Sequence, residues 1–325
     1  MRRLPWSEAA KDSLVQMFSL LAALSGLMTA HCLWTRPALK SASVAAPLIP
    51  GRWVVDSRRA PGSDRGSLAE ALAGAREGDV IELAPGAYAE SPKTTKSVTI
   101  LGRGKTSDEV VISGSGPDSD WALGVDAGRL TLRNLSIRSA ANAVRVAGGD
   151  LDVEGCSLEG RVALAVSGRS RLRVERSTLT GRGDNAAVSA EGEGASLIIE
   201  QSTISNGAGS GLAASRLVLV RLRDVSVSRN ALAALTIRSG AEVRVKGGKI
   251  SENRQCGADI DDGTLALDGV ELSRQRCGVE FRGAGTLESW NSRFVDLASG
   301  ALLLAPGLKE RVVVRGSGNT GLVIP

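Results

Sequence analysis

Leu130-Thr-Leu-Arg-Asn-Leu-Ser-Ile137, Val220-Arg-Leu-Arg-Asp-Val-Ser-Val227 and Leu265-Ala-Leu-Asp-Gly-Val-Glu-Leu272 share one pattern, apolar-x-apolar-x-x-apolar-x-apolar. Related copies start at Leu151, Leu172, Leu197 and Val243, in steps of 21 to 25 residues, and a worn copy starts at Leu287. A period in this range marks a solenoid, in which no repeat buries its own apolar face and each needs its neighbours. Within each copy the alternation is that of a strand, and it slips phase once. Side chains reverse direction at every strand residue, so a slip is a corner.

A shorter apolar run precedes each copy, as in Ala143-Val-Arg-Val146, Ala163-Leu-Ala-Val166 and Ala234-Leu-Thr-Ile237, with Gly148, Gly149, Gly168 and Gly240 in the turns between. No unit has room for the 10–15 residues of helical periodicity that a βαβ unit needs. Short strands coiling and stacking in parallel, about 4.8 Å per coil, satisfy the pattern. The expected fold is all-β, a right-handed parallel β-helix. An aliphatic bore accounts for an aromatic content of 3%. Asn206, Asn230 and Asn253 follow strand ends, where stacked amides can bond coil to coil.

The open end of such a coil must be covered. Residues 67–78 read as a capping α-helix, with Ser67 as N-cap, Glu70 reaching back to it, an apolar stripe of Leu68, Ala71, Leu72 and Ala75, and Gly78 as the stop. The stretch Gly66-Ser-Leu-Ala-Glu-Ala-Leu-Ala-Gly-Ala-Arg-Glu-Gly-Asp-Val-Ile-Glu-Leu-Ala-Pro-Gly-Ala-Tyr88 resembles the N-terminal cap of the pectin lyase-like superfamily of right-handed β-helix proteins. The resemblance extends over residues 52–325. It implies the fold rather than an activity, because that superfamily holds lyases, hydrolases, esterases, epimerases and members with no known reaction.

Residues 1–34 read as a signal peptide or signal anchor. A head with Arg2, Arg3 and Lys11 precedes an apolar stretch, Val15 to Trp34, long enough to span a bilayer if uncleaved. Residues 35–51 read as a linker and 52–325 as the β-helix domain. The expected location is therefore exported, either membrane-anchored or periplasmic/extracellular.

Chemistry is sparse. The single histidine, His31, lies in the apolar N-terminal segment, so His-based acid–base catalysis and His-ligated metal are excluded. The charge of +5 is mild and Arg is interleaved with Asp and Glu, which argues against nucleic acid. Stacking the repeats makes an outward column of Arg133, Glu154, Glu175, Glu200, Arg223, Lys246 and Asp268. Glu154, Glu175 and Glu200 are the carboxylate candidates for catalysis, about 5 Å apart as in retaining glycosidases, with Arg neighbours as the competing explanation. Asp259, Asp261 and Asp262 resemble the paired Asp of β-helical polygalacturonases, whose other motifs have no counterpart here. They are also the candidates for a metal such as Ca²⁺, against the simpler reading of a turn. Trp121, Trp290 and Tyr88 are the outward aromatic candidates for sugar stacking. Cys256 and Cys277 occupy equivalent places on successive coils, within disulfide reach, while Cys156 stands alone on an earlier coil.

The sequence points to a non-catalytic binding or structural module for an envelope polysaccharide or protein partner, without a cofactor. A polysaccharide lyase or glycoside hydrolase using surface carboxylates is the alternative. A self-assembling scaffold is the third reading.

Overall fold

A computed structural model describes residues 50–115 and 120–322. The expectations for residues 1–34 and for nearly all of the linker, His31 included, lie outside these described residues. Among the described residues no helix is long and apolar enough to cross a membrane.

Each coil has three short strands. In a representative coil they are Leu164–Ser167, Arg171–Glu175 and Thr178–Gly181, followed in the next by Val188–Glu191, Ser196–Glu200 and Thr203–Asn206. The pairing is parallel and in register, Leu164 on Val188, Leu172 on Leu197 and Leu179 on Ile204. First and second strands together form a 20-stranded sheet, and third strands a 10-stranded one. The right-handed parallel β-helix is thus present throughout the described repeat.

The phase slip has a single cause. One residue per coil, between second and third strands, takes a left-handed backbone: Asn134, Gly155, Arg176, Gln201, Asp224, Gly247, Gly269 and Asn291, with φ between 48° and 64°. Its N–H donates to the carbonyl of the coil above, as in Arg176 to Glu200 at 3.2 Å and Gln201 to Arg223 at 2.9 Å. The corner therefore continues the ladder. Serines just past it extend the bonding, Cys156 N–H to Ser177 Oγ and Ser177 N–H to Ser202 Oγ.

Inside, Leu, Val and Ile from all three faces form one continuous cluster, most of them fully buried. Burying each such side chain contributes about 1.5–3 kcal/mol before the cost of ordering the chain. Tyr88 belongs to this core and not to the surface, a correction to its outward assignment. It is 1% exposed, and its hydroxyl lies against the carbonyls of Val55 and Ala84 at 3.0 and 2.8 Å. Burial pushes its hydroxyl up to about 12. Asn230 donates from Nδ2 to Asn253 Oδ1 at 2.7 Å, and Asn253 to Gln275 Oε1 at 2.8 Å. The amide stack thus runs one coil further than the three Asn suggest. Asn206 instead donates to main-chain carbonyls, those of Gly183 and Asn185 on the preceding coil and of Ser210 in its own bend, a placement that shapes the site described below.

The cap helix, Leu68–Gly74, is shorter than expected. Ser67 Oγ accepts from Glu70 N–H at 3.1 Å, but Glu70 does not complete the box. Glu90 comes in from the next coil and accepts from Leu68 and Ala69 N–H at 2.9 and 2.7 Å, while Glu70 sits 3.8 Å from Arg59. Lys96 closes the other end through the carbonyls of Leu72, Ala73 and Ala75, favourable for a cation at a helix C-terminus. At the far end Leu302–Leu304 and Val312–Ser317 form the last coil, with Leu302, Leu304, Val312 and Val314 half-buried.

Cys256 and Cys277 are register partners joined as a disulfide, Cα atoms 4.5 Å apart. Closing a loop of 21 residues stabilises by about 3 kcal/mol in the chain-entropy account. Replacing both by Ser should lower unfolding free energy by about that amount in urea titration. An unchanged midpoint would show that the bond only decorates coils already locked by the ladder.

Candidate functional site

The carboxylate column stands as the stacking requires, with Arg133 over Glu154, Glu154 over Glu175, Glu175 over Glu200 and Glu200 over Arg223. Each of its three glutamates is claimed by guanidinium groups, and Asp268 by Lys246 at 3.5 Å. Glu154 pairs with Arg133 at 3.0 Å and with Arg176. Glu175 pairs with Arg173 at 3.5 Å and with Arg176, and Glu200 with Arg173 at 2.8 Å and Arg223 at 3.2 Å. Such exposed pairs contribute about 0–1 kcal/mol each. Their effect is to relieve the repulsion that like charges on adjacent strands would otherwise create.

Asp259, Asp261 and Asp262 share a strand, Cys256–Asp268, but not a site. Asp262 takes a left-handed backbone, φ 63°, between the first- and second-strand positions of its coil, and is exposed. Asp261 is exposed, in register with Arg238, and lies over Gly283, where an added Cβ would fall 2.0 Å from its Oδ1. Asp259 is buried, 6% exposed. Among the described residues no group of three or more His, Cys, Asp or Glu is placed to hold a metal ion. The two tryptophans also part company. Trp290 follows Asp268 in the second-strand column, 37% exposed, whereas Trp121 pairs with Asn142 on the first-strand face.

That first-strand face carries the groove. Its outward column runs Arg145, Ala165, Ser189, Ala213, Thr236, Asp259 and Glu280, each the register partner of the next. Four small side chains in the middle leave a channel, flanked by the longer turns that enter each first strand. One part, about 710 Å³, is bounded by Trp121, Asn142, Arg161, Arg182, Asp184 and Asn185. A second, about 290 Å³, is bounded by Leu232, Thr236, Arg238, Gln255, Asp259 and Arg282. They share Ala186 and Ala213. Asn206 fixes the rim, its Nδ2 donating to the carbonyls of Gly183 at 3.0 Å and Asn185 at 2.6 Å. The sequence reading passed over this groove. Its signal was the recurrence of Ala, Ser, Ala and Thr at one outward position, which small size makes easy to take for bore lining.

The groove ends on an electrostatic cluster. Arg282 Nε lies 3.2 Å from Asp259 Oδ1, and its Nη2 3.2 Å from Glu280 Oε2. Arg276 reaches Glu280 at 2.7 Å, and Arg238 stands 3.9 Å from Asp259 Oδ2. Burial raises the Asp259 carboxyl above its ordinary value, against the pull of Arg282 and Arg238. Glu280 is lowered: its own burial opposes ionisation, but hydrogen bonds from Arg276 and Arg282 outweigh it. Facing carboxylates whose environments push them apart are where acid and base roles separate.

Residues 122–269 match the family model described as the right handed beta helix region. The protein has the fold of the pectin lyase-like right-handed parallel β-helix proteins. No curated protein matches its sequence. Pectate lyase Pel9A is similar in structure over 86% of this chain and 82% of its own, at 13% identity and a TM-score of 0.55. DFA-IIIase from Arthrobacter chlorophenolicus A6, solved in complex with GF2, is similar over 82% and 94%, at 13% identity and a TM-score of 0.52. At such identity the likeness shows fold alone.

Two measurements test this electrostatic description. Asp259 has its proton affinity raised by folding, so it favours the folded state below its unfolded value and loses that contribution as pH rises through the folded value. Asp259→Asn should therefore raise the melting temperature by a few degrees at pH 7, with the gain vanishing near pH 3. Glu280 and Asp261 remain to accompany the arginines. A lower melting temperature at pH 7 would mean that Arg282 depends on Asp259. Burial also pushes the Cys156 thiol to about 11, so an aromatic disulfide reagent at pH 8 should leave it unmodified until the protein is unfolded. Rapid labelling of the native protein would place this thiol outside the core.

Proposed function

We propose that the protein is a non-catalytic binding module that holds an extended polysaccharide in the first-strand groove. The observation that carries this reading is the groove's continuity. The groove runs from the Asn142 coil to the Asp259 coil, five steps of about 4.8 Å or roughly 24 Å, with the small Ala165, Ser189, Ala213 and Thr236 as its floor between them. A repeating polymer meets a repeating surface there. Trp121 at one end offers a stacking face, Asn142, Asn185 and Ser189 offer amide and hydroxyl groups, and Arg161 offers a planar donor. Aromatic platforms with a few convergent polar groups suit sugar rings, which present an apolar face and a polar rim.

The arginine pairing along Glu154, Glu175 and Glu200 favours binding over cleavage, because each carboxylate on that column is engaged. Placement outside the cytoplasm, anchored or released, is part of the proposal. The Cys256–Cys277 disulfide supports it, since such bonds persist in oxidising compartments.

Affinity electrophoresis of the purified protein in gels containing polygalacturonate, galactomannan, xylan or alginate tests the reading. At least one should retard the protein, and Trp121→Ala and Arg161→Ala should each weaken retardation about threefold to tenfold, the loss of one stacking or charged contact. No new reducing ends or unsaturated sugars should appear. Cleavage abolished by Glu175→Gln would restore the enzymatic alternative. Retardation by none of the four would defeat the binding reading.

A further inference from the structure

Asp259 is 94% buried on the complement of its 6% exposure, yet its Oδ1 accepts no hydrogen bond from any described residue. Arg282 Nε is near, at 3.2 Å, but not aligned to donate. Arg238 is 3.9 Å from the other oxygen, an ion-pair distance and not a hydrogen bond. A buried carboxylate without donors is costly and rare. The 8% of its side chain that remains exposed opens on the groove, because Asp259 lines it together with Gln255, Arg238 and Arg282.

From this cluster we infer that Asp259 is the anchor of a sugar subsite that recognises a vicinal pair of hydroxyls on a neutral ring. The inference rests on the groove reading above and assigns the chemistry of one end of it. Two adjacent hydroxyls donate to the part of the carboxylate that remains open to the groove, while their oxygens accept from the guanidiniums of Arg238 and Arg282. Each hydroxyl both gives and receives a hydrogen bond, so the carboxylate and the guanidiniums are served together. A charged ring does not fit. Arg238, Arg276 and Arg282 already face Asp259, Asp261 and Glu280, so a ligand carboxylate would meet acidic groups whose cations are taken. The volume, about 290 Å³, takes a single ring, and Leu232 offers it an apolar wall.

The subsite also explains a placement that stability alone would not select. A buried Asp next to Glu280 on the adjacent coil is held at a cost that Asn would avoid, and a hydroxyl-bearing ligand gives the charge its purpose.

Galactomannan tests this, since its rings carry neighbouring cis hydroxyls, compared with the same polymer after periodate oxidation and borohydride reduction. That treatment opens the ring between vicinal hydroxyls and leaves the polymer uncharged. Wild-type protein should be retarded by native galactomannan, and retardation should fall about tenfold or more with the oxidised polymer. Asp259→Asn and Asp259→Ala should lose a similar factor on the native polymer, as expected for hydrogen bonds to a charged group. Melting curves of both variants show that the fold is kept. Equal retardation by native and oxidised galactomannan would overturn the diol subsite, even if Trp121→Ala weakens both and so upholds the groove. Retardation by polygalacturonate but not galactomannan would have the same meaning. Retardation by no polymer would remove the groove reading and the subsite with it.

Discussion

The coil-to-coil backbone ladder is the constraint from which the remaining structure follows. Parallel strands in a closed coil leave no freedom of register, because a one-residue slip would turn every buried Leu and Val outward. The ladder survives its corners only because one residue per coil accepts a left-handed backbone and passes its N–H to the coil above. Three of the eight corner positions, Arg176, Gln201 and Asp224 on successive coils, are neither Gly nor Asn, and these side chains pay a steric cost for the corner. The pairing on both sides outweighs that cost. Once the ladder is set, each outward position becomes a column whose members stand about 4.8 Å apart.

Columns then decide what the surface can do. On the second-strand face, the successive Glu154, Glu175 and Glu200 are flanked by Arg133, Arg173, Arg176 and Arg223, so charges neutralise one another and the face closes on itself. On the first-strand face, small residues leave a channel, and longer turns around Arg182 to Asn185 supply its wall. The same repeat thus makes a self-satisfied face and an open one. The contrast lies in side-chain length along the column and in the longer turns beside it.

How much of this was legible in sequence follows from what a repeat records. Leu151, Leu172 and Leu197 recur with the period of the coil and report the core directly, and Cys256 and Cys277 report their own adjacency by equal offsets. The Glu column could be aligned for the same reason. Tyr88 was misplaced because its strand precedes the regular repeat, so its place in the inward column above Ile112 and Ile137 is carried by register and not by a shared motif. Glu90 as the partner of the helix N-terminus was hidden for a similar reason, since it reaches across from another coil and no local spacing encodes that. The groove was missed because Ala165, Ser189 and Ala213 are small, and a small residue at an outward position looks like one facing in. Asp259 was read with Asp261 and Asp262 as one cluster, whereas burial separates it from both.

The bond between Cys256 and Cys277 also has a mechanical meaning. A solenoid under tension at its C-terminus unravels as thread leaves a spool, one coil at a time, since each coil is held only by the one beneath it. The covalent link acts as a ratchet tooth. Once the terminal strands are drawn out as far as Cys277, tension passes through the sulfur–sulfur bond to Cys256, so the loop between them, which bears Asp259, cannot be drawn out lengthwise. Reduction releases the tooth, so the length of chain that a given pull can extract becomes a property of the redox state of its surroundings.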